Sequence, residues 1–397
     1  MTIEKRKKRM LAAVALHHAC NDGSVVTLPA IFPVLFTEQL LIKEYTDIGT
    51  IMMFGLVVAI IAQALIGHFA KTRHTRYYLA LDALLVGGSL LLLTLSRNYL
   101  MMVLFYAGIR LGTSIYHPVG ISWVSHSFRG NSLDRAMGIQ SAFGNIGVLL
   151  AFTSTGFLVD AYGWKVPLYT WGTINLLAVI FGLFMSAGTI SSEEIIKEKE
   201  SEKKSASWPQ AFRDIGVFIP MILLGGLAWG IMLNYSPSLL NHRLGMSMSK
   251  TGMILGGWMC AGTVSALMYG KIASALTRKW TLITAYIMMT AGSLVLGLAH
   301  NVPLIVTAFV LFGLALFATY PSMLSIISVA MDPKNRTTGF ALTANIYIIG
   351  NSIFAYLSGH ISDSFGIQAP FILLGGLTLL VISYTLIIIR KGRLQER

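Results

Sequence analysis

Charge is what this chain most lacks. Asp, Glu, Lys and Arg together supply 12% of its 397 residues, against about 25% in an ordinary soluble domain. That excludes a water-facing globular surface. Cysteine is almost missing as well: Cys20 and Cys260 are the two present, and both fall in apolar stretches. Two isolated thiols exclude a disulfide framework and a cysteine-type metal site, and neither cofactor nor metal is expected. Hydrophilic runs are short except for one, so no loop could fold into a catalytic domain and the chain is not expected to be an enzyme. Nor are there the alternating segments of about 10 residues from which membrane barrels are built.

What is present is apolar. Hydrophobic residues make up 55% of the chain, and the mean hydropathy is +0.68. A spanning helix needs about 20 mostly apolar residues. Twelve stretches qualify: Met10–Phe36, Thr46–Ala70, Tyr77–Leu95, Tyr99–Val124, Leu133–Val159, Val166–Thr189, Arg213–Leu240, Ser249–Leu276, Trp280–Leu298, Val302–Val329, Thr337–Ile361 and Gln368–Arg390. The fold class is therefore an all-α membrane protein. The first stretch is too long for a signal-peptide core and polar in its middle, so it is expected to be retained.

The chain also repeats itself. Moving residues 10–190 forward by 203 positions superposes Gly156, Asp160, Gly163 and Pro167 on Gly359, Asp363, Gly366 and Pro370. The same offset pairs Gly23 with Gly226, Gly49 with Gly252, Asn98 with Asn301, Pro118 with Pro321 and Gly147 with Gly350. Residues that mark backbone corners thus recur in order. Two six-helix pseudo-repeats are expected, 1–190 and 213–397, joined by a hydrophilic linker at 191–212. Repeats of this kind build secondary transporters, whose substrate site lies between the repeats.

The net charge of +13 is placed for topology rather than for nucleic acid. With the first helix leaving the cytoplasm, 24 of the 30 Lys and Arg fall on the cytoplasmic side and five on the other. That asymmetry is the positive-inside pattern. It predicts a multi-pass protein of the cell membrane with both termini cytoplasmic, embedded in lipid and with no nucleic-acid partner. A monomer is expected.

An ionisable side chain deep in a membrane is a functional hypothesis by default. His17, His18, Asn21 and Asp22 lie in the first stretch. At a rise of ~1.5 Å per residue, Asp22 falls about 18 Å from Met10, near the midplane. His18 is four residues away and shares its helical face. Arg110, in the fourth stretch, should lie at similar depth, so Asp22 and Arg110 are expected to pair. His117 follows seven residues later on the same face and precedes Pro118, which removes a backbone donor and can kink the helix. Asp82 is only about a turn and a half into the third stretch and is expected to reach interfacial water. The second repeat has no deep Asp, Glu, Lys or Arg; its polar candidates are Asn234, Tyr235, Tyr320, Asn345, Tyr347 and Asn351. Trp229 and Trp258 fit a cavity wall, lipid or packing equally well.

Twelve spans, a six-plus-six repeat, a charged central linker and a glycine-rich fifth span together resemble the major facilitator superfamily. The segment His18–Asp22 (H-x-x-N-D) followed by Phe32-Pro33, Ser114–Pro118 (S-I-Y-H-P) and Gln140–Gly147 (Q-S-A-F-G-N-I-G) is similar to its fosmidomycin-resistance-type branch. There are departures: Lys71 stands where the loop after the second span usually has an acidic residue. The usual proline of the antiporter motif is absent from the fifth span, and Val119-Gly120 follows the His-Pro pair. The resemblance implies alternating access around a cavity lined by spans 1, 4, 7 and 10, and proton-coupled efflux of a small organic molecule. Asp22 would carry the proton, with His18 and Arg110 tuning it. Asn21, Tyr116, His117, Gln140, Asn145, Asn234, Tyr235, Tyr320 and Asn345 are the candidate substrate contacts. Alternatives are uptake of an anionic metabolite held by Arg110 and the histidines, or a non-transporting receptor or lipid-handling protein.

Overall fold

The computed structural model describes residues 3–69, 74–129, 131–189, 208–331 and 336–391. The expected linker up to residue 207 lies outside the described residues, as do Lys71 and Arg73 of the loop after the second span. Among the described residues there is helix and turn but no strand, and twelve helices are long and apolar enough to cross a membrane.

The helices are α1 (Ile3–Thr37), α2 (Tyr45–Phe69), α3 (Thr75–Leu93), α4 (Tyr99–Tyr116), α5 (Asn131–Tyr162) and α6 (Lys165–Ser186), then α7 (Ile219–Ser238), α8 (Met248–Leu276), α9 (Arg278–Leu298), α10 (Val302–Ala330), α11 (Arg336–Phe365) and α12 (Ala369–Arg390). A short helix, Trp208–Ile215, precedes α7. The first helix begins well before its apolar stretch, because Glu4 and Lys8 form an i,i+4 pair at 2.7 Å that suits a polar helical turn.

Repeat-related residues do repeat-related work. Asn98 caps α4 by accepting from Met101 N at 2.9 Å, and Asn301 caps α10 by accepting from Leu304 N at 3.1 Å. Asn is among the best N-caps because its short side chain reaches the orphan N–H groups of the first turn. Gly163 and Gly366 end α5 and α11 in the left-handed region, at φ +85° and +87°. Their N–H groups close onto Val159 O at 2.9 Å and Ser362 O at 2.8 Å. The two turns are equivalent, and each needs a residue without a Cβ.

Packing repeats too. In the first repeat α1 packs on α5 and α6, and α3 on α4 and α6; in the second, α7 packs on α11 and α12, and α9 on α10 and α12. Small residues let these backbones approach: a Cβ at Gly23 would lie 2.8 Å from the Gly147 carbonyl, and one at Gly350 would lie 2.8 Å from the Leu223 carbonyl.

Contacts divide the chain into two compact units: Met1–Lys43, Phe54–Lys203 and Ser247–Gly256 form the first; Glu44–Met53, Lys204–Met246 and Gly257–Arg397 the second. The start of α2 thus belongs to the second unit and the start of α8 to the first, a symmetric exchange of segments 203 residues apart. Close approach explains it. In the second unit a Cβ at Gly49 would lie 2.8 Å from Ala355 O, and one at Gly359 2.6 Å from Tyr45 O. In the first unit Gly252 and Gly156 make the matching approaches to Phe152 and Met248.

Pro118 does more than remove a hydrogen bond. His117–Ile121 form a π-turn between α4 and the short helix Ser122–Ser127. Such a widened turn accommodates the missing donor and re-aims the side chains at its edge. His117 is the first residue of that turn.

Candidate functional site

The first unit contains a cluster built on α1. His18 Nε2 lies 3.0 Å from Asp22 Oδ2, as their i,i+4 spacing predicts. Asp22 Oδ1 accepts from Asn21 Nδ2 at 2.8 Å and lies 3.9 Å from His117 Nε2. The carboxylate therefore meets two imidazoles and one amide.

The rest of the cluster fixes the His18 ring. Its Nδ1 lies 2.7 Å from the Gln140 carbonyl oxygen. Tyr116 stacks on its face with ring centroids 4.4 Å apart, and His117 meets it edge-on at 5.6 Å. The Tyr116 hydroxyl donates to Gln140 Oε1 at 3.0 Å, so one glutamine holds both rings. Gly144, one turn along α5, leaves the room: a Cβ there would lie 2.7 Å from both Asp22 Oδ2 and His18 Nε2.

These distances set the chemistry. A carbonyl oxygen only accepts, so His18 Nδ1 carries hydrogen. With one hydrogen committed there, a bare Nε2 would face a carboxylate oxygen at 3.0 Å, lone pair against lone pair. A proton therefore lies in that contact, on the imidazole or on the carboxyl. The His18 side chain is 7% exposed, whereas those of Asp22 and His117 are 26% and 44% exposed. Asp22 and His117 are thus the more accessible members of the cluster. The donor atoms of His18, Asp22 and His117 lie within 4.8 Å of one another, near enough in number and type for a cation. The 3.0 Å separation, however, is that of a pair sharing a proton.

Two expectations need correction. Asp22 does not pair with Arg110: among the described residues its ion-pair partners are His18 and His117. The Arg110 stem lies instead against Gly55 of α2, and its Nε is buried without a hydrogen-bond partner. Depth along a helix says how far in a charge lies, but helix rotation decides which face it meets. Asp82 does not reach interfacial water either. It is 1% exposed, and its Oδ1 is buried without a partner. The sequence carried that signal, since Asp82 shares the i, i+3, i+7 stripe of Leu79, Val86 and Leu90, all buried in α3.

The remaining candidates scatter. Asn145 is half-buried on α5 and makes no side-chain hydrogen bond among the described residues. In the second unit Tyr235 donates to the Ala355 carbonyl and ties α7 to α11. Asn234 Nδ2 donates to Gly230 O at 2.9 Å, leaving Oδ1 buried and unpartnered, as is Asn351 Oδ1. Tyr320 meets Tyr347 edge-on at 5.5 Å, and Asn345 is exposed. Trp229, Trp258 and Phe317 form one ring cluster with centroids 5.6 to 6.2 Å apart. Trp258 is fully buried, which makes it packing.

The model of the Major Facilitator Superfamily matches residues 14–273 and 239–396. The chain is 25% identical over 205 residues to the uncharacterized MFS-type transporter YfnC of Bacillus subtilis, a match covering 50% of this chain and 47% of that protein. The chain thus spans about half the length of that relative. It is 22% identical over 275 residues to the fosmidomycin resistance protein of Escherichia coli K12, covering 69% and 67% of the two chains. The solved structure of the nucleoside transporter NupG superposes with a TM-score of 0.75 at 12% identity, covering 97% of this chain and 99% of that one. With twelve membrane-length helices and a family match running through both repeats, the chain belongs to the Major Facilitator Superfamily and is a multi-pass secondary transporter.

Proposed function

We propose that this transporter exports a small organic molecule in exchange for protons, by alternating access. The observation that carries this reading is the His18–Asp22 contact, which requires a proton at 3.0 Å while His18 Nδ1 is committed to the Gln140 carbonyl. A carboxylate in that position has a proton to exchange, and its partial exposure gives the proton a route. His18 orients and shares the proton, and His117 relays it or meets the substrate. The likeness to a fosmidomycin resistance protein favours export. The repeats 1–190 and 213–397, joined by 191–212, act as the alternating halves, and the working unit is a monomer. The charge asymmetry places both termini on the cytoplasmic side of the cell membrane. Asn21, Tyr116, Gln140, Asn234, Tyr320 and Asn345 remain the proposed substrate contacts, with Asn145 and Tyr235 secondary to them.

A second reading has one observation in its favour. The buried, unpartnered Nε of Arg110 is suited to hold a carboxylate or phosphonate, as in uptake of an anionic metabolite. One experiment separates the two. Purified protein in liposomes is given a pH gradient and a panel that includes fosmidomycin, small carboxylates and drug-like cations. Export predicts accumulation against an opposing proton gradient. Flux that ignores the gradient and is abolished by Arg110→Gln would favour anion uptake.

A further inference from the structure

Asp82 is a buried carboxyl group that the His18–Asp22 site leaves unused. It is one of the buried residues of α3, a helix that packs on α4, α6, α1 and the π-turn. The next residue, Ala83, joins Cys20 of α1 and Ala178 of α6 in an apolar cluster, with Leu16 and Val179 against it. Asp22 of α1 acts on Asp82 electrostatically, and Asp82 acts in turn on Cys20 of α1 and Tyr116 of α4. The π-turn brings His117, which binds on the Asp22 side. From α6 there is nothing nearby, because its ionisable residues are Lys165 and Tyr169 near its start. Among the described residues no ion pair reaches Asp82.

An ionised carboxylate in such a place, without cation or donor, costs several kcal/mol or more. The cheap structural solutions, Asn or Leu, would fill the same space without that penalty. A carboxyl group kept there is tolerated as the neutral acid, and it interacts electrostatically with the Asp22 carboxylate. Two such groups do not titrate independently.

We propose that Asp82 is a second proton-binding carboxyl of the first unit, electrostatically linked to Asp22, so that one cycle moves two protons. Each proton taken up neutralises one carboxylate, and each released restores it. The proposal rests on the proton-coupled reading of Asp22.

The test uses infrared spectroscopy of the full-length protein in liposomes, with no substrate added, across a pH series in H2O and D2O. The wild type should show a carboxylic-acid C=O band that shifts in D2O and fades as pH rises. Asp82→Asn should lose that band, and Asp22→Asn should keep it but move its fading to lower pH. If Asp82→Asn folds poorly, Asp82→Glu keeps an acid and should displace the band in frequency. A band that survives in Asp82→Asn at its wild-type position overturns the assignment. A band that belongs to Asp82 but never fades overturns the exchange of its proton. Failure of Asp22→Asn to alter pH-driven flux is a separate result. That outcome removes the coupling role of Asp22 while leaving the Asp82 band to be judged on its own.

Discussion

Asp363 grips Thr46 twice, accepting from its backbone N–H at 2.8 Å and from its hydroxyl at 2.6 Å, and it also accepts from Tyr45 N at 2.7 Å. The carboxylate at the end of α11 thereby serves as the cap of α2. Its repeat mate Asp160, at the end of α5, accepts from Met248 N at 3.1 Å and Ser249 N at 2.7 Å and caps α8. Each acceptor is 203 residues from its counterpart, as are the donors. A carboxylate at a helix N-terminus satisfies orphan N–H groups and opposes the positive end of the helix dipole.

Removing either cap should therefore destabilise. Asp363→Ala or Asp160→Ala is expected to cost about 1 kcal/mol, the usual value for a lost N-cap. The loss should appear as a lower melting temperature of the purified protein. Asn retains an acceptor and should recover part of it. Melting temperatures indistinguishable from wild type in both Ala variants would show that the caps contribute nothing.

Much of this was legible in the sequence, because it depends on local rules. Asn98 and Asn301 stand before apolar runs, and Gly163 and Gly366 stand where a helix must stop. His18 and Asp22 meet because four residues make one helical turn. What depended on rotation or on tertiary neighbours was not legible. Depth along α4 says nothing of the turn of Arg110 toward Gly55. Distance from the helix end suggests water for Asp82, but its face on α3 decides its burial. The exchange of the α2 and α8 starts between units follows from glycine-mediated approach, which a one-dimensional repeat does not reveal. Gly144 lay inside a recognisable motif, but only the crossing of α1 and α5 shows what its missing Cβ spares.

Gly144→Ala follows from that crossing. The added methyl would lie 2.7 Å from both partners of the His18–Asp22 contact, so the pair must part or the helices must shift. Overpacking of this kind costs about 1–3 kcal/mol. Flux driven by a pH gradient should fall at least several-fold, with the protein still reaching the membrane. Wild-type flux in this variant would mean that the contact is not needed for coupling.

Tyr116→Phe separates ring packing from hydrogen bonding. The stack on His18 survives, but Gln140 Oε1 loses its donor. An unmade buried hydrogen bond costs about 1–3 kcal/mol, so the melting temperature should drop while coupling persists. Tyr116→Ala should lose both, and comparison of the two by thermal unfolding and flux checks the division of roles.

Topology rests on charge placement alone and is tested directly. A cysteine at Ser201, in a background lacking Cys20 and Cys260, should react with an impermeant thiol reagent only after the membrane is opened. Reaction in intact cells would reverse the orientation.

The central claim is that Asp22 carries the coupling proton, and Asp22→Asn in liposomes measures it most directly. Asn keeps the size of the side chain, and the partners to watch, His18 and His117, can become neutral when the carboxylate is gone. The variant is therefore expected to fold. With the compound that the flux panel identifies, it should exchange labelled for unlabelled molecules at a rate near wild type. It should at the same time lose accumulation driven by a pH gradient. Accumulation that continues at the wild-type level in a folded Asp22→Asn protein would contradict the account.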